Sequence, residues 1–169
     1  MTALEQADVT AVAAQLGREP RAMRRVAHRC GCGLPDVVET SPRLPDGTPF
    51  PTLFYLTCRR AASAVGKLEA SGLMREMTER VAVDRALAGH YRTAHEDYLR
   101  RRNALGELAG HPGVGGMPER VKCLHVLVAH ALAVGPGINP LGDELLALLP
   151  DWSRRGPCVG VPKPPQAKR

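Results

Sequence analysis

The chain has 169 residues and a mass of 18.2 kDa, with 44% hydrophobic and only 4% aromatic residues. This is the size of one ordinary domain around one core, and abundant Ala and Leu with few aromatics argue against a sandwich or barrel and for helix packing. A net charge of +6 permits an acidic partner, but 23 basic against 17 acidic residues is a mild excess, and scattered cations without an aromatic-studded strand leave a nucleic-acid-binding module as only a third, weakly backed reading.

The opening Met1-Thr2-Ala3-Leu4-Glu5 has neither a positive start nor a long apolar run, so no signal peptide is expected. No stretch reaches the roughly 18 apolar residues of a membrane span, because His125 and His130 interrupt the best one. A cytoplasmic protein without a membrane partner is the expectation. Five cysteines, an odd count, are no disulfide framework in a reducing cytosol, which leaves metal ligation, catalysis or plain burial.

In chain order, Asp8 to Leu16 has helical spacing, with Asp8 as N-cap and Gly17 as its stop. Ala22–Arg29, Asp36–Thr40 and Thr52–Thr57 then read as strands, the last two rich in β-branched and aromatic residues. Pro45-Asp46-Gly47 is a turn between the second and third, since Pro presets φ and Gly accepts a positive one. Helices follow at Ala61–Ala70, Leu73–Val83, from an Asp84 cap to about Leu105, from Pro118 to about Val134, and Gly142–Leu149. On the long helix Leu87, Tyr91, Ala94, Tyr98 and Leu105 form the apolar stripe, leaving His90, His95, Asp97 and Arg100 to Arg102 on the wet face. The fold class expected is α+β: a three-stranded antiparallel meander packed on a mainly helical body. One domain spans 1–150, and a Pro/Lys-rich disordered tail, 151–169, carries Trp152 and Cys158.

Cys30 and Cys32 fall between strands one and two, and Cys58 ends strand three, so a meander brings them to one sheet edge. Cys123 lies on the most apolar helical stretch. Soft thiolates suit zinc and iron–sulfur clusters, and four of them complete a coordination shell, so Cys30, Cys32, Cys58 and Cys123 are the expected ligands of zinc or a cluster in a structural or redox role. Buried cysteine as a small hydrophobe explains Cys123 equally well, but not a glycine-flanked Cys-x-Cys loop. Residues two apart on a regular helix point roughly 200° from each other, so Cys123 and His125 are not expected to share one ion. His28, His125 and His130 stand as alternative ligands or hydrogen-bond partners of ligands, or as satisfied core histidines.

The glycine-rich loop ending in Gly115 and Gly116, followed by a helix start with Arg120 and Lys122, is a candidate anion site, with Arg59 and Arg60 nearby if Cys123 joins Cys58. It lacks the closing Gly-Lys-Ser/Thr of a P-loop. An enzyme acting on an anionic or phosphorylated small molecule, with Cys123 or a histidine as nucleophile or base, is the alternative reading.

His28-Arg29-Cys30-Gly31-Cys32-Gly33-Leu34-Pro35, Leu44 through Cys58 with its Pro-Asp-Gly-Thr-Pro core, and Gly116-Met117-Pro118 through His130 together resemble an uncharacterised actinobacterial family, domain of unknown function 501. The resemblance runs from Val9 to Leu149. It implies a bacterial cytoplasmic protein and carries no activity to assign to any residue.

Overall fold

The computed structural model describes residue 1 and residues 4–110 and 113–160. Six helices and one three-stranded sheet follow in the order α1 (Gln6–Leu16), β1 (Met23–Arg29), β2 (Pro35–Thr40), β3 (Phe54–Leu56), α2 (Arg59–Ala70), α3 (Leu73–Val83), α4 (Arg85–Asn103), α5 (Leu124–Val134) and α6 (Pro140–Leu148). The sheet is an antiparallel meander in the order β1-β2-β3, with Val26 opposite Val38 and Val37 opposite Leu56. The α+β architecture is therefore present, with β2 as the fully buried central strand.

Helix ends follow local chemistry. Asp84 caps α4 by accepting hydrogen bonds from the backbone N–H groups of Ala86 and Leu87, at 2.9 and 3.0 Å. Asn139 does the same for α6 from Gly142, with Pro140 at the first helical position. At α1 the N-cap is Glu5 rather than Asp8, and Asp8 reaches back from the third position in a capping box.

Helix α5 is apolar nearly all round and lies centrally, packed on α2, α6 and β3. It starts at Leu124, not near Pro118. The preceding residues are tied into a turn: Arg120 N–H bonds to Gly116 O at 3.1 Å and Lys122 N–H to Gly115 O at 2.7 Å. A Cβ on Gly116 would stand 2.7 Å from Arg120 O, so only glycine permits that closure.

The long helix α4 also differs from its expected pattern. Tyr91, Ala94 and Tyr98 are buried, but so are His95, Asp97 and Arg102, which belong to the face expected to be wet. Asp97 is balanced by Arg100 and Arg101 and, across the core, by His130, whose Nε2 lies 3.1 Å from Asp97 Oδ2. His130 Nδ1 accepts from Asn139 at 3.3 Å. Burial, outweighing the neighbouring Asp97, holds the imidazole below its ordinary pKa, so His130 is a neutral core residue with both nitrogens used.

Residues 151–160, placed in the tail on sequence grounds, lie against the body. Arg60 donates to the carbonyls of Gly156 and Pro157 at 2.7 and 3.1 Å, and Trp152 and Cys158 pack against the core. Residues 161–169 lie outside the described residues.

Candidate metal centre

The antiparallel meander does carry Cys30, Cys32 and Cys58 to one end of the sheet. Cys30 opens the turn from β1 to β2, with Cys32 N–H 3.4 Å from Cys30 Sγ. Cys58 is the N-cap of α2. Burial raises the Cys30 thiol to about 12 and the Cys58 thiol to about 11. Cys32 moves the other way: burial opposes ionisation, but bonds from the Leu34 backbone and the Cys30 thiol outweigh it.

Cys123 does not join them. It is the N-cap of α5 and meets Glu69, which stands one residue before the C-terminal end of α2. Glu69 is eleven positions on from Cys58, about 16 Å along the helix axis, so one ion cannot span both ends. The thiol found beside Cys58 is Cys158, which also receives a hydrogen bond from Gln15 Nε2 at 3.2 Å and whose backbone meets Cys32. The four expected ligands thus divide into a thiol cluster at one end of α2 and Cys123 at the other.

Among the described residues, Glu69, Cys123 and His125 form the one group of three or more potential ligands whose donor atoms all lie within 4.8 Å of one another. Cys123 and His125 meet although they are two apart, because Cys123 precedes the helix in an extended conformation, φ −153° and ψ 113°. The 100° per residue of a regular helix does not apply to it. Glu69 Oε1 accepts from Leu124 N–H at 2.7 Å, capping α5, and lies 3.1 Å from His125 Nδ1. His125 Nε2 donates to the Ala62 carbonyl at 3.1 Å. All three side chains are partly exposed, His125 at 34% and Glu69 at 25%.

The Cys123 thiol foremost, against burial and with help from Glu69, raises His125 to about 9 from its ordinary 6.5. In metal-free protein this pairing stabilises the fold fully below pH 6.5 and is lost as pH rises through about 9. Urea denaturation at about pH 6 and pH 9.5 should show the wild type losing more stability with rising pH than His125→Gln; equal losses would remove the coupling.

The anion site expected at Gly115, Gly116, Arg120 and Lys122 takes a different form. The N–H groups of Arg120 and Lys122 are spent on the turn, both side chains are exposed, and the true N-terminus of α5 holds the Glu69 carboxylate. Arg59 and Arg60 lie at the other end of α2, away from Cys123. Of the histidines among the described residues, His125 alone joins the ligand group; His28 Nδ1 pairs with Asp36 Oδ1 at 2.7 Å. Glu69 gave no sequence signal, since a carboxylate on an amphipathic helix reads as solvated surface.

A family model described as "Protein of unknown function (DUF501)" matches residues 26–147, most of the chain. The chain belongs to that family. The DUF501 segment contains the whole Glu69–Cys123–His125 group and ends before Trp152 and Cys158. No curated protein and no solved structure matches the chain. No helix among the described residues is long and apolar enough to cross a membrane.

Proposed function

We propose that this DUF501 protein binds zinc through Glu69, Cys123 and His125, with a fourth position open to water or a substrate atom. The observation that supports it is the orientation of His125. Its Nε2–H is committed to the Ala62 carbonyl, so Nδ1 is the nitrogen turned toward Glu69 and Cys123, and loss of its proton would aim its lone pair between them. Metal-binding histidines are held in this way by a backbone acceptor on the far nitrogen. The Leu124 N–H orients the carboxylate from behind.

One thiolate, one imidazole and one carboxylate form a mixed donor set that suits zinc, and three protein ligands with an open position are the pattern of catalytic rather than structural zinc. A single thiolate does not meet the four-thiolate demand of an iron–sulfur cluster. Two negative ligands also balance the ion's charge. Without metal the contacts with Cys123 and Glu69 hold a proton on His125, so zinc must displace it.

The test is calorimetric titration of chelator-treated full-length protein with zinc at pH 7, in two buffers of different ionisation enthalpy. About one zinc per chain should bind with release of protons, and Cys123→Ser or His125→Gln should weaken binding on the order of 100-fold. Cys32→Ser should leave it intact. Loss of uptake in Cys32→Ser with retention in Cys123→Ser would move the metal to the thiol cluster beside α2. Absence of saturable uptake would remove the metal and leave Cys123 beside His125, the pairing in which a histidine can activate a nucleophilic thiol.

A further inference from the structure

Two cavities share the wall formed by Pro150, Asp151 and Trp152. The larger, about 640 Å³, is basic: Arg59, Arg60 and Lys67 of α2 face Arg154 and Arg155 of the following segment. Arg60 is spent on the carbonyls of Gly156 and Pro157, which fixes the two walls to each other. The side chains of Arg59, Lys67, Arg154 and Arg155 make no hydrogen bond or close ion pair among the described residues. Asp151 is the one acid in the lining, and its Oδ1 is taken by the Ser153 N–H and hydroxyl at 2.9 and 2.6 Å. Several like charges held around one hollow repel one another and create a potential that gathers an anion.

The smaller cavity, 290 Å³, is lined by His28, Cys30 and Asp36. The Asp36 side chain is fully buried and its Oδ2 has no hydrogen-bond partner. A buried carboxylate oxygen without a donor is costly, and such a group needs an explanation beyond packing. His28 donates from Nδ1 to the other Asp36 oxygen at 2.7 Å, which leaves Nε2 as an acceptor, with no protein partner among the described residues.

We propose that this two-chambered cleft binds a phosphorylated small molecule, its phosphate among Arg59, Lys67, Arg154 and Arg155 and a hydroxyl or amino group against the His28–Asp36 pair. Phosphate takes charge-assisted bonds from guanidinium groups, often two at once, and a hydroxyl or amine supplies the donor that the partly exposed His28 Nε2 lacks, on the ring that Asp36 holds. Such a ligand spans both chambers across the Trp152 wall. The cleft runs along α2 from Arg59 to Lys67, and none of Glu69, Cys123 and His125 lines either chamber; Glu69, two residues beyond Lys67, points roughly 200° away from it on the helix, so the assignment does not rest on the zinc group.

Titration of the full chain with glycerol 3-phosphate and with inorganic phosphate, in low salt with chelator present, tests it apart from any metal. Both should bind, glycerol 3-phosphate about 10-fold tighter, and Arg154→Ala/Arg155→Ala should weaken both about 10-fold. Arg75→Ala/Arg85→Ala removes the same charge from exposed sites elsewhere and should stay within about twofold. His28→Gln, which keeps a donor for Asp36, should reduce glycerol 3-phosphate to the level of inorganic phosphate and leave the latter unchanged. The proposal is overturned if neither ligand binds the wild type at about 10 mM, if the two bind equally, or if the control pair weakens binding as much as the cleft pair.

Discussion

His130→Ala is expected to lower folding stability by about 3–5 kcal/mol, because it empties a fully buried position and breaks a polar network at once. The imidazole lies near-parallel to Phe54, centroids 6.0 Å apart, and edge-on to Tyr98 at 5.3 Å, so the strand and two helices lose a shared packing partner. Asp97 keeps its arginines but loses its bond into the core, and the Asn139 amide loses its acceptor. His130→Phe refills the volume without the two bonds and should fall between the wild type and Ala. Urea unfolding with unchanged m-values reads the difference. A midpoint for His130→Ala within error of the wild type would show that the network contributes nothing net.

The second large effect lies at the crossing of α5 and α6. A Cβ on Gly142 would stand 2.6 Å from the Leu127 carbonyl oxygen and 2.8 Å from Ala131 Cβ, so neither neighbour is a flexible side-chain end that can move aside. The helices must separate, and Gly142→Ala should cost about 1–3 kcal/mol or more. Separation also pulls on the Asn139 cap, since Gly142 N–H is the group it binds. Gly66→Ala is the matched comparison. It sits inside α2 with nothing within 4 Å of the added methyl, and should stabilise by about 0.4–1 kcal/mol. If both substitutions shift the thermal midpoint in the same direction, helix propensity rather than the crossing decides the outcome.

The elements that could be read from the chain were those whose chemistry is local. Asp84 announced α4, and runs of β-branched and aromatic residues marked β2 and β3. The start of α5 could not be read, because Pro118 looks like a first helical residue and only the closure of Gly115 and Gly116 on Lys122 shows the turn. That error hid the centre. Had α5 begun at Pro118, Cys123 and His125 would have pointed apart; with Cys123 as the cap they meet. Cys30, Cys32 and Cys58 followed from strand order alone, whereas pairing Cys123 with them ignored the length of the intervening helix. Asp97 looked solvated because its burial goes with its bond to His130 on α5, a contact that no helical period encodes.

The two hydrogen bonds from Arg60 to Gly156 and Pro157 bear on where the protein can be cut. The family segment ends at residue 147, and a truncation there would remove Trp152 from its packing, strip the acceptors from a half-buried guanidinium and leave Gln15 without Cys158. It would also delete one side of the cleft and two of its arginines. A fragment trimmed to the family boundary would therefore be a different binding surface, not a smaller copy of the same one. An affinity handle or fusion partner belongs beyond Gly160, where the described contacts with the body end.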